Sequence, residues 1–144
     1  ISHFNFFTNY TKSKAFNDKI AETAKEVMLE DKLDDLVMSL SHGEHRQLEL
    51  GLALISKPKL LLLDEPSSGL SENERAIMKQ MLLNLDEEMT LIMVEHNMEL
   101  GFAVSSKVTV MQDGNVVFEG TPEETQNNEL VQSIYLGTGG SDNA

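Results

Sequence analysis

Leu60-Leu61-Leu62-Leu63-Asp64-Glu65-Pro66 is the stretch on which the reading of this chain turns. Four leucines in succession, with no polar alternation, suit a strand buried on both faces, as in a parallel sheet. The run then delivers two carboxylates and a proline. A buried strand that ends in acids places them at the carboxyl edge of a sheet, where open α/β folds put their ligands. There Asp64 would face a bound cation, and Glu65, one residue on, a water. Taken alone, the run is equally consistent with a core strand entering an acidic turn. Its surroundings separate the two.

Upstream, Glu44 to Ile55 has helical spacing with Leu48, Leu52 and Ile55 on one face, and Ser56-Lys57-Pro58 ends it. Downstream, Ser67 to Ser71 reads as a loop around Gly69. Glu72 to Leu85 reads as a helix aligning Ile77, Met81 and Leu85. Thr90 to Val94 is a second apolar strand, expected to be buried and ending in Glu95-His96. A short helix follows from about Met98 to Val104. Strands at Lys107–Met111 and Asn115–Phe118 flank Asp113-Gly114, a hairpin signal. Thr121 as N-cap and Pro122 at the first helical position open another helix, and a last one covers Glu129 to Tyr135.

Toward the amino end, Lys12 to Glu30 is amphipathic, with Phe16, Ile20, Ala24 and Val27 on one face, and a short helix is expected over Lys32 to Met38. Residues 1–10 are aromatic and polar by turns and carry no assignment. Residues 137–144 are expected to be a disordered tail. Strands alternating with helices argue an α/β fold with a mostly parallel sheet. The expected organisation is a helical region over residues 1–40, a core over 41–136 and the tail.

Composition narrows the partners. The chain has 144 residues, enough for one modest core. It carries 24 acids against 11 bases, a net charge of -13, which argues against a nucleic-acid-binding surface. There is no cysteine, hence no disulfide framework and no thiolate metal site. No apolar run reaches the length of a membrane span, and residues 1–10 lack the pattern of a secretory leader. The first residue is Ile1 rather than Met, so a piece of a longer protein is expected.

Two further stretches bear on chemistry. In Leu40-Ser41-His42-Gly43-Glu44, Ser41 precedes a helix and Glu44 lies three residues later, a capping box. That can be all it is. The same geometry also leaves backbone N–H groups at a helix N-terminus, with Gly43 permitting close approach, and such a terminus suits phosphate. His96 is either a polar residue closing a strand or, beside a carboxylate and a phosphate, a sensor of the phosphate or a positioner of water.

Leu-Ser-His-Gly-Glu, then 15 residues, then Leu-Leu-Leu-Leu-Asp-Glu-Pro, a Ser-Ser-Gly-Leu loop, and Val-Glu-His about 30 residues on: in this order the chain resembles the C-terminal half of an ATP-binding cassette ATPase domain. The resemblance covers roughly residues 12–136. It is similar in detail to branched-chain amino acid importers, on Val94-Glu-His-Asn-Met98, on Leu40–Gln47 and on Ile134-Tyr-Leu-Gly137.

That resemblance implies a P-loop NTPase-like sheet with a helical subdomain, incomplete because the Walker A half is absent. It implies ATP and Mg²⁺ as cofactors. Glu65 would be general base or water positioner, Asp64 the Mg²⁺ holder through water, and His96 a contact to the γ-phosphate. Ser41, His42, Gly43 and Glu44 look like the signature motif, and Ser68 and Gly69 lie in the D-loop. These six would meet nucleotide sandwiched against a second ATPase subunit, identical or a paralogue. Transmembrane permease subunits would be the other partners, with the chain peripheral at the cytoplasmic face of the cell membrane.

The departures are specific. His42 stands where Gly is common and would crowd a nucleotide, and Ser71 stands where the D-loop usually ends in Asp. Nowhere is there a Gly-x-x-x-x-Gly-Lys-[Ser/Thr] loop; Gly137, Gly139 and Gly140 have no lysine beside them. These residues alone are therefore expected to bind ATP poorly and to expose apolar sheet surface. Two alternatives remain: the C-terminal lobe of a chromosome-maintenance or DNA-repair ATPase, and a stand-alone half-domain that regulates a full ATPase. Residues 12–38 show no sustained heptad, which weighs against the first.

Overall fold

The computed structural model describes residues 13–138. The element order is α1 (Lys14–Glu26), 3₁₀ turns at Glu30–Lys32 and Val37–Ser39, α2 (His42–Leu54), β1 (Leu60–Asp64), α3 (Glu72–Leu83) and β2 (Thr90–Val94). Then come α4 (Met98–Val104), β3 (Val108–Gln112), β4 (Asn115–Gly120), α5 (Pro122–Gln126) and α6 (Glu129–Thr138). The chain divides into two compact units between Met93 and Val94.

In the first unit α1 packs on α2, and the contact is closer than leucine periodicity suggests. Sequence spacing puts Leu48, Leu52 and Ile55 inward. The structure instead buries Gly43, Gln47, Leu50, Gly51 and Leu54, and leaves Leu52 64% exposed. The reason lies at Val27. A Cβ on Gly51 would sit 3.1 Å from Val27 Cγ2, so only glycine admits this approach without a shift. Gln47 Nε2 donates to the Val27 carbonyl at 2.8 Å, satisfying a carbonyl at the α1 C-terminus. Small and polar residues form this face, and a hydrophobic count passes over them.

The expected helix over Lys32 to Met38 is replaced by the two 3₁₀ turns. Seven residues are too few to nucleate a helix unless a face is buried. Here Leu33, Leu36, Val37 and Met38 are all exposed.

The Thr90 N–H donates to the Lys59 carbonyl at 2.9 Å, at the entrance of β2 and β1 alike, so the paired strands run parallel with α3 as their crossover. The leucine run is one-faced among the described residues, against the expectation of burial on both faces. Leu61 is 5% exposed, while Leu60 and Leu62 stand open, Leu62 at 66%. In β2, Ile92 and Val94 are exposed as well, so that strand too is not buried throughout. In α3 the inward set is Met78, Met81 and Leu82, and Ile77 lies at the boundary of exposure.

In the second unit β3 and β4 pair antiparallel from Val108↔Gly120 to Gln112↔Asn115, with a bulge between Val110 and Met111. Asp113 and Gly114 have φ of 49° and 77°, the two positive values a type I′ hairpin turn demands. Thr121 caps α5 in a capping box with Glu124, and Pro122 opens the helix. Thr125 is fully buried and its hydroxyl donates to the Thr121 carbonyl at 2.7 Å. Helix α6 runs to Thr138, two residues into the stretch read as tail; the rest of that stretch, and residues 1–10, lie outside the described residues.

The two leucines of β1 predict opposite responses. Leu61→Ala should destabilise the chain by about 2–4 kcal/mol, as buried leucine truncations do. Leu62→Ala, with its side chain already largely in water, should cost under about 1 kcal/mol. Urea unfolding of the two variants checks this, and equal losses would contradict the one-faced strand.

Candidate functional site

Helix α2 begins where the sequence places it. Ser41 is the N-cap; its hydroxyl accepts from the Glu44 N–H at 3.2 Å, and Glu44 Oε2 accepts from the Ser41 N–H at 2.7 Å. Lys32 Nζ lies 3.3 Å from Glu44 Oε1. The Ser41 backbone N–H foremost, then Lys32, hold the Glu44 carboxyl below its ordinary value of 4.5.

Strand β1 ends at Asp64, and both Asp64 and Glu65 are exposed. Glu65 has φ of 45°, a left-handed conformation that a residue with a Cβ rarely adopts. The loop behind it is a tight pair of turns. The Ser68 N–H donates to the Glu65 carbonyl at 3.0 Å, and the Leu70 N–H to the Ser67 carbonyl at 3.2 Å. Gly69 takes φ of 74°, and Arg75 Nη1 donates to the Leu70 carbonyl at 2.6 Å. Ser71 then caps α3, its hydroxyl accepting from the Glu74 N–H. Serine in place of the family's usual Asp keeps this capping function, since both are strong N-caps.

The α2 terminus and this loop lie against each other. His42 Nε2 is 3.5 Å from the Ser68 carbonyl, and a Cβ on Gly69 would lie 3.0 Å from the same nitrogen. The Gly43 N–H donates to Glu74 Oε1 at 3.1 Å. The other oxygen of Glu74 accepts from the Ser71 N–H at 2.8 Å and from the Ser71 hydroxyl at 2.6 Å. Ser71 first, then the Gly43 N–H and His42, hold the Glu74 carboxyl below 4.5. Thus Ser41, His42, Gly43 and Glu44 share one unit with Asp64, Glu65, Ser68 and Gly69; position 42 touches the loop directly and position 43 meets Glu74 in the first turn of α3.

His96 belongs to the second unit. Its side chain is exposed, with Nδ1 3.7 Å from Glu95 Oε1. Glu95 is the residue sequence reasoning passed over there. Its side chain is 2% exposed, and its carboxylate accepts the N–H groups of His96 at 2.9 Å and Asn97 at 3.0 Å. An acid placed directly before the turn was the available signal. Glu74 was also missed, although Ser71-x-x-Glu74 repeats the capping-box pattern legible at Ser41. Among the described residues no group of three or more His, Cys, Asp or Glu could hold a metal by itself.

The architecture is that of an ATP-binding cassette. A solved ATP-binding cassette of an ABC transporter, in its ADP conformation, superposes with a TM-score of 0.76 at 24% identity, over 88% of this chain and 52% of that one. A protein from Clostridium perfringens, cbiO1, part of the ABC transporter complex cbiONQ, gives 0.73 at 24% over 85% and 50%. The family model described as ABC transporter matches residues 1–68. The high-affinity branched-chain amino acid transport ATP-binding protein BraF of Pseudomonas aeruginosa is 30% identical over 92% of this chain and 56% of its own length. A putative ABC transporter ATP-binding protein of Pyrococcus abyssi is 38% identical over 82% and 43%. Over residues 1–68 the chain is similar to the ABC transporter family, and across most of its length to the ATP-binding proteins of branched-chain amino acid transport. It spans about half the length of the curated relatives it matches.

Both carboxyls in this region are depressed on folding, so their contribution to stability is fully present above 4.5 and is lost as pH falls through the lower folded values. Carboxyl-carbon NMR titration should give midpoints below 4.5 for Glu44 and Glu74. Ser71→Ala should raise the Glu74 midpoint and leave that of Glu44 in place. Midpoints at the ordinary value would refute the hydrogen bonding described.

Proposed function

We propose that this chain supplies the signature-bearing and hydrolytic part of an ATP-hydrolysing subunit that powers a branched-chain amino acid importer. The observation that carries this reading is the likeness to BraF across 92% of the chain. Glu65 is assigned as general base or water positioner and His96 as the contact to the terminal phosphate. Ser41, His42, Gly43 and Glu44, with Ser68 and Gly69, face nucleotide held by a second ATPase subunit. The juxtaposition of His42 at the α2 terminus with Ser68 and Gly69 of the loop after β1 supports that assignment, because it brings six of the assigned residues together in one region.

Mg²⁺ is tested against the donors present. Asp64 offers a single exposed carboxylate at a strand end, and no three-ligand cluster accompanies it among the described residues. That donor set fits a cation that keeps most of its waters and takes phosphate oxygens, as Mg²⁺ does. Bound there, Mg²⁺ would neutralise charge developing on the phosphate oxygens. Glu65, one residue beyond, would orient an attacking water and accept its proton. With the Glu44 N–H held by Ser41 and the Gly43 N–H by Glu74, the helix terminus would act on phosphate through its dipole.

The partners under this reading are the second ATPase subunit, identical or paralogous, and transmembrane permease subunits. The chain would sit peripherally at the cytoplasmic face of the cell membrane. Among the described residues no helix is long and apolar enough to cross one. The 144 residues contain no Gly-x-x-x-x-Gly-Lys-[Ser/Thr] loop, so the grip on the β-phosphate must come from other residues.

In the assembled transport ATPase, Glu65→Gln should lower kcat by about 10²–10⁴-fold while ATP binding persists. The purified 144-residue chain should show no Mg²⁺-dependent ATP turnover. Turnover by that chain, abolished by Glu65→Gln, would refute the division of labour proposed.

A further inference from the structure

Glu74 is a carboxylate that joins the α2 terminus to the segment behind the acid-bearing strand. We infer that it is a positioning residue that makes the signature helix and the loop carrying Glu65 respond as one body. Its two oxygens serve different elements. Oε2 stays at home, accepting from the Ser71 N–H and hydroxyl at the start of α3. Oε1 crosses to α2 and accepts from the Gly43 N–H at 3.1 Å, over a separation of 31 residues.

The fit is close. A Cβ on Gly43 would collide with Glu74 Oε1 and lie 2.7 Å from its Cδ and Cγ, so glycine at 43 is required by the side chain as it stands. One residue earlier, His42 rests against the Ser68 carbonyl and Gly69. Ser68 in turn donates its N–H to the Glu65 carbonyl. Two successive residues of the α2 terminus are thus tied to the segment after β1, His42 to the loop through a ring contact and Gly43 to the start of α3 through a charge-assisted hydrogen bond, the stronger kind. The chain of contacts runs Gly43, Glu74, Ser71 on one side and His42, Ser68, Glu65 on the other.

The consequence rests on the function proposed above. There, Glu65 acts on nucleotide held by its own subunit, while Gly43 faces nucleotide held by the facing one. A rigid tie between them makes occupancy of one site felt at the other. Glu74 touches neither nucleotide in this scheme; it acts through Gly43 and the loop.

Two variants separate the bridge from the cap. Glu74→Ala removes both. Glu74→Asp keeps a carboxylate able to cap Ser71 but is one methylene too short to reach Gly43. Amide hydrogen exchange on the 144-residue chain should be at least tenfold faster at Gly43 in both variants, with Leu50, in the middle of α2, within threefold of the parent. In the assembled ATPase, the Hill coefficient for ATP should fall toward 1 in both variants, whereas a loss of folded protein alone would lower only the maximal rate. Parent-like exchange at Gly43, or an unchanged Hill coefficient in both variants, overturns the inference. Absence of ATP hydrolysis by the unsubstituted assembly would instead overturn the proposed function, and the exchange measurement would still decide whether the tie exists.

Discussion

A helix N-terminus leaves backbone N–H groups with no partner inside the helix, and among the described residues that constraint is met in the same way three times. Ser41 with Glu44, Ser71 with Glu74 and Thr121 with Glu124 are complete capping boxes, each with the hydroxyl on the third N–H and the acid returned to the cap. The placement of the candidate site follows from two of them. The first fixes where α2 begins, and therefore where His42 and Gly43 stand. The second fixes where the loop behind β1 ends. Because Glu74 accepts one hydrogen bond more than its own cap requires, the two helix starts are held to each other as well as to their own turns.

Much of this was legible before any coordinates. The start of α2, the loop around Gly69, both apolar strands, the Asp113-Gly114 hairpin and the Thr121-Pro122 helix start each carry a local signal that packing had no reason to overrule. What could not be read was which face of a helix turns inward. In α2 the leucines mark one stripe, and the buried stripe is another, made partly of Gly43, Gln47 and Gly51. The sequence carries apolar character; it does not carry the closeness of a neighbouring helix, and closeness is what glycine permits at Val27. The 3₁₀ turns before Ser41 fail in a related way. Leu33, Leu36, Val37 and Met38 are apolar, yet none is buried in the described residues, so no packing energy was there to complete a helix.

The leucine strand carries the same lesson. Four leucines imply burial on both faces only if layers exist to cover both. Leu61 is buried, as are Met78, Met81 and Leu82 of the crossover helix; Leu60 and Leu62 are open among the described residues. The strand's apolar composition therefore exceeds what the described residues bury.

Glu65 is where local cost and proposed role meet. A left-handed backbone on a residue with a Cβ costs about 1–2 kcal/mol. Pro66 directly after it adds a further restriction on what its backbone can adopt. Glycine would remove the strain, but it would also remove the carboxylate. The turns on the Glu65 and Ser67 carbonyls, with Ser67 and Pro66 buried beneath, hold the conformation against that cost. An ordinary extended residue at 65 would continue the pleat and send its side chain to the face opposite Asp64. The left-handed turn breaks that alternation at the point where, under the proposed function, two adjacent acids would serve one cluster of phosphate, cation and water. Asp113 holds a similar φ, but there the hairpin turn demands it; at Glu65 the left-handed backbone fits the positioned carboxylate proposed for it.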